Sequence, residues 1–179
     1  MPCHHSANKH PLLPSDQRLK LLQLATESVP QLAIETHELN ATQTTFTVET
    51  LTHLKQKYPE RILLFIIGSD ALNNIDQWHQ WQHLLTLCHL VVVQRPNHAV
   101  NLSSEIVQWL RLHQVEQPKS LFYQPHGCVW CTDVASPDIA SSHIRQLLNS
   151  NPASAELARM LPTRVADYIF TNQLYQTAV

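Results

Sequence analysis

Ile139-Ala140-Ser141-Ser142-His143-Ile144-Arg145 places two hydroxyls and a guanidinium at the start of a helix capped by Ser141 or Ser142. A cation in a first helical turn opposes the helix dipole by about 0.3–1 kcal/mol. An anion bound at the helix start reverses that sign, so these residue types suit phosphate. An exposed Arg whose cost is screened by salt fits the same pattern. Gly68-Ser69-Asp70 follows directly on the apolar run Ile62 to Ile67. Glycine lets the backbone turn sharply or approach a ligand closely. Asp70 is then either a site carboxylate or the N-cap of a helix beginning near Ala71. Arg95-Pro96 follows a second apolar run, Leu90 to Val93. The planar fork of Arg95 suits phosphate or carboxylate, and a solvated loop residue is the plainer reading.

Two further groups carry weaker chemistry. Trp78 and Trp81 stand three apart on an expected helix, where spacing favours the core and one ring could stack on an aromatic ligand. Cys128-x-x-Cys131 is a single pair, and a zinc site would need Cys3, His4 and His5 brought to it by the fold. The alternative is a buried strand with small apolar thiols.

These residues need rigid elements behind them. An uninterrupted apolar run such as Ile62 to Ile67 predicts a strand buried on both faces, as in parallel sheets covered by helices. Ligands of open α/β sheets bind outside the carboxyl ends of the strands, which is where Gly68-Ser69-Asp70 and Arg95 fall. The pattern predicts helices over 15–29, 47–58, 71–89 as a pair, from Ser103 or Ser104, from Ser141 or Ser142, and after Pro162. Thr47 and Asp76 are read as caps. Short strands are expected at Leu32–Ile34, Leu90–Val93 and Cys128–Cys131. Alternating strands and helices imply an α/β fold with a parallel sheet.

Composition narrows the partners. The 179 residues suit one domain, 1–179, and 44% hydrophobic residues suit a globular chain. A net charge of -2 offers no basic footprint for nucleic acid. No apolar run spans a bilayer and the N-terminus has no signal-like segment, so a cytoplasmic location with free thiols is expected. Two glycines, Gly68 and Gly127, leave no glycine-rich phosphate loop. Phosphate would have to be held by helix N-termini and cationic side chains.

F-I-I-G-S-D at 65–70, Trp78, V-V-Q-R-P at 92–96, I-A-S-S-H-I-R at 139–145, L-P-T-R-V-A-D-Y-I at 161–169 and N-Q-L-Y at 172–175 occur in this order. T-T-F-T-V-E-T-L at 44–51 and M-P-C-H-H-S-A-N-K at 1–9 precede them. Together they resemble bacterial nicotinate-nucleotide adenylyltransferase over the whole chain. The resemblance implies a Rossmann-like nucleotidyltransferase fold with a parallel sheet. It implies transfer of AMP from ATP to nicotinate mononucleotide, giving nicotinate adenine dinucleotide and pyrophosphate with Mg²⁺ as helper. Ser141, Ser142, Arg145, Arg95 and Lys9 would then face phosphate. Gly68 and Asp70 would line the nucleotide cleft, Trp78 would stack on the nicotinate ring, and Thr47 would meet its carboxylate. Oligomeric state does not follow from the resemblance.

Several positions depart from the family. Asn8 replaces a His, Phe46 a Tyr, and Ala140 a Ser. The family motif G-x-F-D-P-x-H-x-G-H has no counterpart, because Ile66 and Pro125 stand two places before the only glycines. No catalytic residue is therefore identifiable, and the usual first strand and first helix are expected to be lacking. Three readings follow: an enzyme whose true start lies upstream, a non-catalytic nucleotide-binding remnant, and a metal-binding module using Cys3, His4 and His5. The chain alone is expected to bind substrates weakly without turnover, and, with the ladder groups and apolar faces beside a missing central strand uncovered, to be loose or aggregation-prone rather than cooperatively folded unless a partner strand covers them.

Overall fold

The run from Ile62 meets no turn former before Gly68, and in the structure, a computed structural model, it forms strand β1 over Leu64–Gly68. Residues 12–41, 44–96, 100–134, 137, 139–151 and 154–175 are described. The chain divides into a unit of Phe46–Asp138 and a unit of Met1–Thr45 with Ile139–Val179.

The first of these units holds the sheet. Its strands are β1, β2 (His89–Val93), β3 (Gln114–Val115) and β4 (Val129–Thr132). Their order is β1-β2-β4-β3, with every pair parallel. Gly68 lies opposite Val93 and Val93 opposite Thr132, so three strands finish at one edge. Helices α2 (Thr47–Lys57), α3 (Ser69–Leu72) and α4 (Ser104–His113) accompany the sheet. On one face Ile67, Leu90 and Val92 pack with Leu84, Ile106 and Trp109. On the other, Val91 packs with Leu121 and Cys128.

β2 is buried along almost its whole length, as its sequence predicts, whereas β1 departs from the expectation of burial on both faces. Leu64 is 42% and Ile66 66% exposed. Among the described residues β1 pairs with β2 alone. Leu64 and Ile66 share a face with His89 and Val91, and the Leu121 cover on that face is centred on Val91 and Cys128.

The segment after β1 also differs. In place of a helix pair over 71–89 there is the one-turn α3, then 3₁₀ turns at Ile75–Gln77 and Trp81–Thr86. Asn73 and Asn74 favour turns over helix interior, and Gln80 takes a left-handed φ of 51°. Asp76 caps nothing there: its Oδ2 accepts the Ser103 hydroxyl at 2.9 Å. Ser103 in turn caps α4, accepting the Ile106 N–H at 3.3 Å, as expected. Thr47 is the first helical residue rather than the cap. The N-cap is Phe46, whose N–H donates to Glu49 Oε2 at 2.9 Å.

The second unit is helical: α1 (Ser15–Thr26), α5 (Ser141–Ser150), α6 (Ala155–Met160) and α7 (Thr163–Thr171). Leu148, Leu157, Val165, Ile169 and Leu174 form its core. Helix α1 is shorter than expected, and Leu32–Ile34 forms no strand. An isolated extended segment has no ladder partner to hold it. α6 escapes the sequence pattern because it is short, yet Ser154 caps it through the Leu157 N–H at 3.1 Å. Neither Ser141 nor Ser142 caps α5, where Ala140 stands as N-cap.

Among the described residues two polar side chains of the strands are buried, Thr132 of β4 and His89 of β2. His89 is fully buried. Its Nδ1 accepts the Cys128 N–H at 3.0 Å, so the neutral ring carries its proton on Nε2 and donates it to Gln124 O at 2.9 Å. Burial lowers its pKa below the ordinary 6.5; the Gln124 bond opposes this and His126 adds to it. Below 6.5 the unfolded chain binds the proton more readily than the folded one, so stability is lost as pH falls. The expected outcome is a melting temperature that drops between about pH 7 and pH 5, with a smaller drop in His89→Gln, whose amide can keep both bonds. Scanning calorimetry of the two proteins across that range is the check, and identical pH slopes would exclude His89 as the cause.

Candidate functional site

Parallel strands that end together leave their connecting loops at one edge, and a glycine with three polar side chains collects there. Gly68 closes β1 and is the N-cap of α3. Ser69 is buried, and its Oγ accepts the Arg95 N–H at 3.1 Å, tying the loop after β2 to the loop after β1. Arg95 Nη1 donates to Asp70 Oδ2 at 3.2 Å. Asp70 is therefore not a cap. It lies in the first turn of α3, where a negative charge is favourable. Its Oδ1 is shielded from solvent with no hydrogen-bond partner, and it stands over Gly68. A Cβ built on Gly68 would lie 2.3 Å from Asp70 Oδ1 and 2.9 Å from Arg95 Nε. Glycine thus leaves room for this close approach, which a methyl would relieve by pushing the two flexible side-chain ends aside, and the orphaned oxygen is an acceptor available to a hydroxyl or hydrated cation.

The aromatic positions lie nearby along the same unit. Trp78 is half-buried and meets Phe65 of β1 edge-on, with ring centroids 6.4 Å apart. Trp81 is the core member of the pair, packed edge-on against Trp109 at 5.2 Å. The left-handed Gln80 separates them, so they do not share a helix face. Phe46, beside Thr47, lies against the His79 ring at 4.4 Å. The start of α2 and the Trp78 loop are thereby brought together. Thr47 is half-buried at that helix start. His79 was not signalled by the sequence, since one histidine in a polar turn carries no spacing information.

The other helix start belongs to the helical unit. Ser142 is exposed, while Ser141 and Arg145 line a cavity of about 350 Å³. His143 turns toward Glu156, with Nε2 3.5 Å from Oε1. Tyr175 stands near Arg145: burial raises its pKa, and the charges of Arg145 and Arg18 oppose that rise. Asn149 donates to Tyr175 O at 3.1 Å and holds the residue at a left-handed φ of 63°. Arg18 and Tyr175 were not singled out by spacing, because neither belongs to a local motif.

Lys9 lies outside the described residues, as do Cys3, His4 and His5 of the zinc reading. Of the cysteine pair, Cys128 is buried and Cys131 half-buried, and burial raises the Cys131 pKa. Cys88 is pushed up to about 12 by burial, which makes it an inert thiol. No group of three metal-capable side chains occurs among the described residues. No helix among them is long and apolar enough to cross a membrane.

Residues 1–147 match the family model described as cytidylyltransferase-like. The probable nicotinate-nucleotide adenylyltransferase of Yersinia enterocolitica is 38% identical over 164 residues, 90% of this chain and 73% of the relative. That of Pseudoalteromonas atlantica is 37% identical over 177 residues, covering 98% and 80%. Among solved structures, Plasmodium falciparum nicotinic acid mononucleotide adenylyltransferase complexed with NaAD shares the fold. Its TM-score is 0.64 at 16% identity, over 96% of this chain and 78% of that one.

The crowding at Gly68 predicts the outcome of Gly68→Ala. The new methyl displaces the exposed ends of Asp70 and Arg95 and separates the pair, while stability changes by less than about 1 kcal/mol, as for a surface ion pair. Arginine Nε–H resonances of the two proteins give the readout; an unmoved Arg95 signal would contradict the close approach.

Proposed function

The chain belongs to the nicotinate-nucleotide adenylyltransferase family, and from that premise we propose that it transfers AMP from ATP to nicotinate mononucleotide. A phosphate oxygen of the mononucleotide attacks the α-phosphorus of ATP. The new P–O bond forms as the α–β bridge breaks, and pyrophosphate leaves with the bridging electrons. This chemistry depends on positioning and charge neutralisation. Likeness over 90–98% of the chain carries the reading and favours the enzyme over a non-catalytic remnant.

Each proposed role has a local rationale. Ser141, Ser142 and Arg145 serve the ATP phosphates at the start of α5, with Lys9 and Arg95 as further cations. The Arg95 guanidinium is already oriented by Asp70, and its planar fork retains donors for phosphate. Asp70 Oδ1, unsatisfied over Gly68, suits a ribose hydroxyl. Trp78 offers its half-buried ring to nicotinate, and Thr47 with the first amides of α2 suits the nicotinate carboxylate. Mg²⁺ bound with ATP would supply charge neutralisation on the phosphates. The location consistent with this metabolism is the cytoplasm, and neither nucleic acid nor membrane is needed as partner.

Incubating the purified protein with ATP, Mg²⁺ and nicotinate mononucleotide, with chromatography of the products, tests the function. The expected result is nicotinate adenine dinucleotide and an equal amount of pyrophosphate. Binding of both substrates without product would instead support the remnant. In the active protein Arg145→Ala is expected to lose a charge-assisted contact worth about 1.5–3 kcal/mol. That is roughly a ten- to hundredfold fall in kcat/KM, of which Arg145→Lys recovers only part. Unchanged steady-state kinetics in Arg145→Ala would return Arg145 to the role of a solvated surface charge.

A further inference from the structure

Two adjacent residues hold Arg95 at both of its ends. Its backbone N–H donates to Ser69 Oγ at 3.1 Å, and its Nη1 donates to Asp70 Oδ2 at 3.2 Å. Nothing local requires the Ser69 hydroxyl. A serine at a helix start ordinarily caps that helix. Here Gly68 is the N-cap of α3, and Ser69 Oγ accepts instead from a residue 26 positions on. Ser69 is 2% exposed, and a buried hydroxyl is costly unless it is bonded. Among the described residues the Arg95 N–H is the partner that Ser69 Oγ has.

The same helix holds the chain further along. The Asn101 N–H donates to Asn73 Oδ1 at 3.0 Å, and the Ser103 hydroxyl donates to Asp76 Oδ2 at 2.9 Å. The Asn73 N–H donates to Ser69 O at 3.2 Å, so one helical turn carries both acceptors. Leu72 between them is 3% exposed and belongs to the core of the sheet unit, as Ile75 does. Packing therefore fixes this ledge, and the chain leaving β2 is attached to it at Arg95 and again at Asn101. An arginine side chain loses rotamer freedom when it binds a ligand, and holding its backbone and one Nη beforehand removes part of that cost.

We propose that Ser69 and Asn73 are positioning residues for Arg95: α3 holds the chain leaving β2 at two points, Ser69 sets the Arg95 backbone and Asp70 its guanidinium, and the fork meets phosphate already aimed. Neither Ser69 nor Asn73 touches substrate in this arrangement. The proposal rests on the adenylyltransferase reading, in which Arg95 serves the ATP phosphates.

Steady-state kinetics of the unaltered chain, Ser69→Ala, Arg95→Ala and the double variant form a cycle that tests this. Ser69→Ala is expected to raise KM for ATP roughly three- to tenfold, as for one neutral hydrogen bond lost, with KM for nicotinate mononucleotide within about twofold. In the Arg95→Ala background the same change should add less than about twofold. An unchanged KM for ATP in Ser69→Ala would overturn the proposal. So would losses that multiply in the double variant, since Ser69 would then act through something other than Arg95. Near-UV circular dichroism confirms that Ser69→Ala is folded; if it is not, Asn73→Leu, which suits a helix and lacks the acceptor, takes its place with the same expectations. Nuclear magnetic resonance gives a readout that needs no turnover. The heteronuclear Overhauser effect of the Arg95 Nε–H should fall in the variant toward that of the exposed Arg111. An unchanged Arg95 value would overturn the proposal as well. If the unaltered protein forms no product, the adenylyltransferase reading fails, and the Arg95 resonance alone decides whether α3 positions this side chain.

Discussion

The parallel ladder between β1 and β2 is the interaction on which the strand-end loops of the sheet unit depend. Five residues of each strand run in register from Leu64 opposite His89 to Gly68 opposite Val93. That register delivers the loops after both strands to the same edge. The Ser69 hydroxyl then receives the Arg95 N–H across the gap, and the Asp70–Arg95 pair forms beside it. A slip of one residue would reverse which side chains face the core and would part the two loops. Arg95 therefore acquires its orientation from the ordered ends of the two strands, through Ser69 and Asp70.

The other side of β2, toward β4, explains how a histidine can stand in the core. A histidine in a central parallel strand is costly unless both ring nitrogens are satisfied. His89 meets that condition with the Cys128 N–H on one side and Gln124 O on the other. It thus fastens the turn before β4 to β2, with the Gly127 N–H donating to Cys88 O at 3.1 Å. On the opposite margin β1 presents Leu64 and Ile66 to solvent. A β edge of this composition invites pairing with another strand and is an aggregation hazard when left open.

Much of this was legible in the sequence, for identifiable reasons. Apolar runs without alternation gave the positions of β1, β2 and β4 to within a residue or two, and the shared carboxyl edge followed from parallel topology. The placement of Gly68, Asp70 and Arg95 came with it. What was not legible depended on contacts distant in the chain. Of the two serines offered as the cap of α4, Ser103 is the cap, whereas Asp76 caps nothing, because its partner lies 27 residues away. The 71–89 segment keeps an apolar helical rhythm, yet the Asn73-Asn74 pair and the left-handed Gln80 break it into turns. The burial of β1 was overstated because a run of apolar residues records what a strand can cover, not what lies beside it. Arg18 and Tyr175 come to line one cavity with Arg145 only in the assembled helical unit, and no local spacing announces that.

Hydrogen–deuterium exchange with and without nicotinate adenine dinucleotide tests most directly whether the strand-end loops and the start of α5 bind the dinucleotide. Slowed exchange is predicted at the amides of 68–70, 94–95 and 141–145, with the interior of β2, already buried, unchanged. Full exchange at those three segments under saturating dinucleotide, with protection elsewhere, would contradict it.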